Sequence, residues 1–214
     1  MHISGTAASF RFAQAVDAEA LFLDRAMRMI EPELQTALGL QRAGRLAEAA
    51  DIYRRILVVA PENFDALHAL GLVRFQRGEF AEAERLVSAA IRVNPRAADA
   101  RPNHAMLLVR LNRLEESLMS FNAAIALKPD FVEALGNRGG VLAQLQRLHE
   151  GLSDFNRVVE LRPGLVFAWI NRGRLLGILG RTKEALASFD KALHLEPDNA
   201  DVLRLRAEDR KSVV

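Results

Sequence analysis

Apolar and polar positions along this chain alternate at helical rather than strand spacing, and the alternation itself repeats. Large side chains stand at Tyr53, Val87, Phe121, Phe155 and Phe189, each 34 residues after the one before. Small residues hold two further phases, one at Ala37, Gly71, Ala105, Gly139 and Gly173, the other at Ala49, Ala83, Ser117, Gly151 and Ala185. Leu40, Leu108, Leu142 and Leu176 share another phase, broken by Arg74, and Val59, Val93, Leu127, Leu161 and Leu195 share a last one. Recurrence at helical spacing in every period predicts amphipathic helices, so all the large residues are read as core. Glycine inside a helix costs about 1 kcal/mol relative to alanine. Ten small residues held in phase therefore predict two helices in close contact once per period.

The breaks in the pattern keep the same period. Pro61, Pro95, Pro129, Pro163 and Pro197 are 34 residues apart, and proline ends a helix because it lacks the N–H and its ring clashes with the preceding turn. With each proline as the thirty-second residue, the units are 30–63, 64–97, 98–131, 132–165 and 166–199. Gly44, Gly78, Asn112, Gln146 and Gly180 fall at the fifteenth place. Glycine and asparagine tolerate the left-handed conformation that ends a helix, and Gln146 is the weak member. Each unit is thus a first helix, a turn and a second helix. Pro102 falls in the first turn of the third unit, where amides lack intrahelical partners, and Asp99 is a candidate cap.

The fifth unit carries Trp169, Arg172, Gly173, Leu176, Ala185, Phe189 and Pro197. Set against W-x₂-L-G-x₂-Y, A-x₃-F and P, it departs only at Arg172 and Leu176. From about Ile30 onward the chain resembles a tetratricopeptide-repeat protein. The resemblance implies an all-α, right-handed superhelical α-solenoid acting as a non-catalytic scaffold, with a protein or peptide partner in a concave groove. It further implies that places two, five, six, nine, twelve and thirteen of each first helix line that groove. The sixth place reads Gln35, Ala69, Asn103, Asn137 and Asn171. A row of primary amides, each both donor and acceptor, can hold a peptide backbone irrespective of its side chains. That row, with the Asn-Arg-Gly runs at 137 and 171, resembles the repeats of bacterial O-GlcNAc-transferase-like proteins. A substrate-selecting module for such an enzyme is the second reading.

Other groove places hold Leu34, Leu38, His68, Leu72 and Phe75 in the first two units, and Arg110 in the third. Gly136, Gly140, Ala143 and Gln144 follow in the fourth, and Ile170, Arg174, Gly177 and Ile178 in the fifth. The glycines of the fourth unit are expected to leave room, and the mixture suits a peptide or amphipathic helix. Leu34, Leu38, Ala69 and Asp99 stand where repeats that clamp a terminal carboxylate carry lysine and asparagine, so that specificity is not expected.

Composition narrows the picture modestly. The chain has 29 basic and 27 acidic residues, well mixed, for a net charge of +2. Arg45, Arg113, Arg147 and Arg181 recur at the sixteenth place, interrupted by Glu79. They predict a basic edge, either solvated or facing an acidic partner or RNA. Nucleic-acid binding is a third reading, weakened by the mixed charge. There is no cysteine, so thiolate chemistry and thiolate metal sites are excluded. His2, His68, His104, His149 and His194 show no metal-ligand spacing, and every recurrent glycine has a packing or turn role. No enzyme activity, cofactor or metal is expected. No stretch approaches the roughly 18 apolar residues of a membrane span, and Met1 to Phe12 do not read as a secretory signal, so a cytoplasmic protein is the expectation.

The two ends stand apart. Residues 1–29 contain Val16, Ala20, Leu23, Met27 and Ile30 on one helical stripe, read as a capping helix or a self-association surface giving a homo-oligomer, with Pro32 opening the next helix. Residues 200–214 continue the phase through Leu203 and Ala207 and are read as a charged, solvating cap.

Overall fold

A computed structural model describes residues 27–211, and every described element is an α-helix. The first, α1, covers 27–42. It is followed by α2 (Leu46–Val59), α3 (Phe64–Gln76), α4 (Phe80–Val93), α5 (Ala100–Arg110) and α6 (Leu114–Leu127). Then come α7 (Val132–Gln144), α8 (Leu148–Leu161), α9 (Val166–Ile178), α10 (Thr182–Leu195) and α11 (Ala200–Lys211). All five second helices are 14 residues long and start 34 residues apart. Two compact units divide the chain, one ending at Pro95 and the other beginning at Arg96. Within each unit consecutive helices pack on one another.

The turns obey the fifteenth-place rule without exception. Gly44, Gly78 and Gly180 have φ of 75°, 77° and 72°, and the non-glycine members Asn112 and Gln146 have 58° and 60°. Gln146 thus holds a conformation that penalises a Cβ. Gln146→Gly is expected to stabilise the chain by about 0.5–1 kcal/mol, read as a higher urea midpoint with an unchanged slope.

Both small phases are buried at every member. A Cβ on Gly71 would lie 2.6 Å from Val87, and one on Gly139 would lie 3.0 Å from the Phe155 ring. A Cβ on Gly151 would lie 2.9 Å from the carbonyl oxygen of Gly139, so these two glycines bring α7 and α8 together. Tyr53, Val87, Phe121, Phe155 and Phe189 are the fully buried residues that fill the space.

Four expectations are corrected. Val93, Leu127 and Leu195 are exposed, and Val59 and Leu161 are only partly buried. The buried residue near the end of each second helix is instead Ile56, Ala90, Ala124, Val158 or Ala192. At about 100° per residue the stripe through these positions next falls on the residue just past the helix, and the thirtieth place is rotated off it. Pro32 does not open a helix, because α1 runs through it from residue 27. Asp99 stands at the N-terminal boundary of α5, but its carboxylate makes no cap hydrogen bond, whereas Asn63 Oδ1 accepts from Ala66 N–H at 2.8 Å ahead of α3. In α11, Leu203 and Ala207 are exposed, and Val202 and Leu205 face the core. The eighth place elsewhere packs on its own unit's second helix, and α11 has no such helix after it among the described residues.

Of the N-terminal stripe, Val16, Ala20 and Leu23 lie outside the described residues. Met27 is exposed, and Ile30 packs on the core of the first unit.

Candidate functional site

In the compact unit that ends at Pro95, α1 and α3 enclose a trough of about 470 Å³. The α1 residues that line it are Glu31, Leu34, Gln35, Leu38, Gln41 and Arg42, which are the six expected groove places of that helix. Asp65, His68, Ala69, Leu72 and Gln76 line it from α3. Leu34 and Ala69 are buried and make the floor, while Leu38 and Leu72 are half-buried above it. Gln35 donates from Nε2 to Glu31 Oε1 at 2.9 Å, and the hydroxyl of the buried Tyr53 donates to Gln41 Oε1 at 3.1 Å. Burial pushes the Tyr53 hydroxyl above its ordinary pKa, so it stays a donor. The His68 ring stacks on Phe64, centroids 5.7 Å apart. Phe75 is not part of the lining: its ring is tilted against Phe80 at 5.6 Å.

In the compact unit that begins at Arg96, Asn103, Asn137 and Asn171 are half-buried on α5, α7 and α9. Asn103 Nδ2 donates to the Asp99 carbonyl at 3.3 Å, and Asn171 Nδ2 to the Phe167 carbonyl at 2.9 Å. Each amide is thereby oriented by the preceding turn of its own helix. Asn137 lines a cleft of about 660 Å³ with Val132, Glu133, Arg162, Leu165 and Phe167. The glycines of the fourth unit differ from one another. Gly140 has open space above it, as expected, but the Phe167 ring lies over Gly136, 3.2 Å from where a Cβ would be. The room expected at Gly136 is filled by an aromatic ring from the next unit, which is itself half exposed. Arg110, Gln144 and Arg174 are exposed, and Ile170 packs against the core of this unit. Gly177 lies beneath the Asp209 carboxylate of α11, whose pKa is raised, first by burial and then by Glu208.

The seventh place went unread in the sequence, and it organises this unit. The Arg138 guanidinium grips Asp154 of its own second helix with two bonds, 2.8 and 2.6 Å, and donates to Asn122 of the preceding one at 2.7 Å. Arg172 repeats the arrangement one period on, donating to Ser188 at 2.5 Å and Asn156 at 2.7 Å. His104 holds the same place in the third unit, with Nδ1 3.0 Å from Ser120 Oγ. Recurrence of Arg-x₁₅-Asp/Ser is the signal that could have revealed it. In each Asn-Arg-Gly run the arginine is therefore a helix clamp and the glycine a packing residue.

The sixteenth-place arginines are not a free basic edge. Arg45, Arg113, Arg147 and Arg181 each make a two-pronged pair with the glutamate three residues on, Glu48, Glu116, Glu150 and Glu184. Hydrogen bonding to the arginine holds each carboxyl below the ordinary glutamate range. The pairs therefore persist through that range and loosen only as pH falls below it. Glu79, at the interrupted place, reverses the polarity and receives Arg74 and Arg77 at 2.6 and 2.8 Å.

Among the described residues, no group of three or more histidine and acidic side chains could hold a metal ion, and no helix is long and apolar enough to cross a membrane.

Three family models, each described as tetratricopeptide repeat, match residues 40–111, 103–166 and 166–199. No curated protein matches the chain. Among solved structures, YrrB, described as a TPR protein with an unusual peptide-binding site, is 26% identical with a TM-score of 0.73, covering 82% of this chain and 91% of its own. PilF of Pseudomonas aeruginosa is 22% identical with a TM-score of 0.76, covering 89% and 86%. A MamA protein is 19% identical with a TM-score of 0.73, covering 81% and 94%. These likenesses agree with an all-α fold of the α-solenoid class.

Proposed function

The chain belongs to the tetratricopeptide-repeat family, and on that footing we propose that it is a non-catalytic scaffold holding a peptide or helix of a partner protein against its first helices. The observation that carries this reading is the trough between α1 and α3. Its floor is apolar, its rim is amide and charge, and it is lined by the places that face a ligand in this family. Such a surface offers the burial that drives association and the polar groups that set register. YrrB, whose solved structure has a peptide-binding site, supports the reading by its likeness in fold. In the compact unit beginning at Arg96, Asn137 adds an amide with no side-chain hydrogen bond among the described residues, next to the exposed ring of Phe167.

Leu72→Glu places a charge on the wall of the trough, on a half-buried side chain. It is expected to reduce capture of protein partners on the immobilised full chain by about tenfold or more, as loss of an interface anchor does. Asn103→Ala, Asn137→Ala and Asn171→Ala together are expected to weaken capture while leaving the helical circular dichroism unchanged. Undiminished capture by both folded variants, measured by quantitative mass spectrometry, would overturn the reading.

A further inference from the structure

The seventh-place clamp returns at Arg206 of α11, where it is half filled. Arg138, Arg172 and Arg206 stand 34 residues apart, and so do Asn122, Asn156 and Asp190, which they meet on the preceding second helix. Arg206 Nε lies 2.6 Å from Asp190 Oδ1. The other half of the clamp is an acceptor on the arginine's own second helix, Asp154 for Arg138 and Ser188 for Arg172. Arg206 has no such acceptor among the described residues, and its terminal nitrogens are without a partner there. A guanidinium is a fixed fork of donors, so the open half still calls for an oxygen.

The places around it are open in the same way. The fourth place is 7% exposed at Leu67 and 3% at Leu135, but Leu203 is 47% exposed. The eighth place is buried in all five repeats, and Ala207 is exposed. Arg210, at the eleventh place, is exposed where Leu108, Leu142 and Leu176 are buried. These places form the face that a repeat turns to its own second helix, and none of them is a groove place. At Gly139 and Gly173 that face meets the rings of Phe155 and Phe189. The chain thus carries the template of what covers it. That template is a small residue, an acceptor three residues on and a large residue next to it, as in Gly151, Asp154 and Phe155 or in Ala185, Ser188 and Phe189. With Arg206 half open and Arg210 beside it, charge complementarity selects a carboxylate as the acceptor.

We propose that this face of α11 docks one amphipathic helix of a partner protein, bearing a small residue, an acidic residue three places on and an aromatic residue next to it. The aromatic ring covers Ala207, and the carboxylate fills the open half of Arg206. The site goes beyond the scaffold reading above and does not depend on what the trough holds.

The probe is an end-blocked peptide with the sequence of α8, titrated into the full chain while the amide resonances of α11 are followed. Shifts at Leu203 and Ala207 are expected. Asp154→Lys in the peptide is expected to weaken binding about threefold or more, the scale of a partly exposed ion pair. Phe155→Ala in the peptide is expected to weaken it about tenfold or more, the scale of an interface anchor. Ala207 is exposed, so Ala207→Arg leaves the fold intact and is expected to abolish the shifts. In Arg206→Glu the Asp154→Lys peptide is expected to bind more tightly than the parent peptide. Shifts confined to other helices, or none, would overturn the docking site. Equal binding of the parent and Asp154→Lys peptides, unchanged in Arg206→Glu, would overturn the acidic assignment. A mass that doubles with concentration, and returns to the monomer value in Ala207→Arg, would overturn the partner helix and give the face to a second copy of the chain. The Leu72→Glu capture experiment reads the trough by itself, so the two readings fail separately.

Discussion

Gly173→Leu is expected to cost the chain about 3 kcal/mol of stability, seen as a lower urea midpoint and melting temperature of the full protein. A Cβ at this position would lie 2.5 Å from one carbon of the Phe189 ring and 2.9 Å from two others. Real Cβ atoms do not approach so closely, and leucine adds three further carbons beyond the Cβ. Phe189 has nowhere to go, since it is 1% exposed and sits in a cluster with Leu176, Ala185 and Ala192. Overpacking of this kind costs about 1–3 kcal/mol, and the rigidity of a buried ring puts the case at the upper end. Phe189→Ala alone should cost about 3–5 kcal/mol by leaving a cavity. The double variant should then be more stable than the sum of the two losses implies, by at least 1 kcal/mol on the scale of coupling between touching residues. Additive losses, or an unchanged midpoint for Gly173→Leu, would show that α9 and α10 are not in contact there.

The second large effect is expected at Arg138. Its guanidinium is the cation of a two-pronged pair with Asp154, whose side chain is 6% exposed. Arg138→Leu leaves that carboxylate buried without its charge partner, and also removes the donor to Asn122. Removing one member of a buried pair costs about 3–5 kcal/mol. Arg138 is itself 22% exposed, so water relieves part of the loss, and about 3 kcal/mol is expected. Replacing both residues, as Arg138→Leu with Asp154→Leu, should recover most of it, because no charge is then left in the core. Equilibrium denaturation of the single and double variants tests this. A double variant no better than Arg138→Leu would mean that the clamp acts through packing and not through charge.

How much of this was legible beforehand differs from one position to the next. The buried small residues at the helix crossings, the five large core residues and all five left-handed turns are stated by the sequence, down to the anomalous Gln146. Each depends on local chemistry: whether a Cβ is tolerated, whether φ can be positive, whether a helix can pass a proline. Pro32 shows the limit of that logic, because α1 runs through it. The phase ending in Leu195 was misread because a period of 34 aligns residues between units without saying which way each points. The thirtieth place recurs as faithfully as the twenty-seventh, but only the twenty-seventh is buried in every repeat.

The functional surface divides along the same line. The six α1 places that the family resemblance implied share one face of that helix and line the trough, although Phe75, at the matching place in α3, packs on Phe80 instead. The partners of those faces were not legible. That the Phe167 ring covers Gly136 and that Arg138 reaches two second helices depends on distances across packed repeats, whereas the sixteenth-place arginines meet glutamates only three residues on, a local Arg-x₂-Glu spacing that the sequence carried. The same arginine reads as a binding residue or a clamp until its neighbours are in place.

What the sequence determined by itself is the repeat, its helices, its turns and the phase of its core, because these follow from the preferences of each residue within one period. What only the tertiary structure decided is which charges remain free. Whether a side chain is neutralised by a distant residue depends on what packs beside it: Arg138 is held by Asp154 across two helices, while among the described residues Glu31, Asp65 and Arg42 have no ion-pair partner.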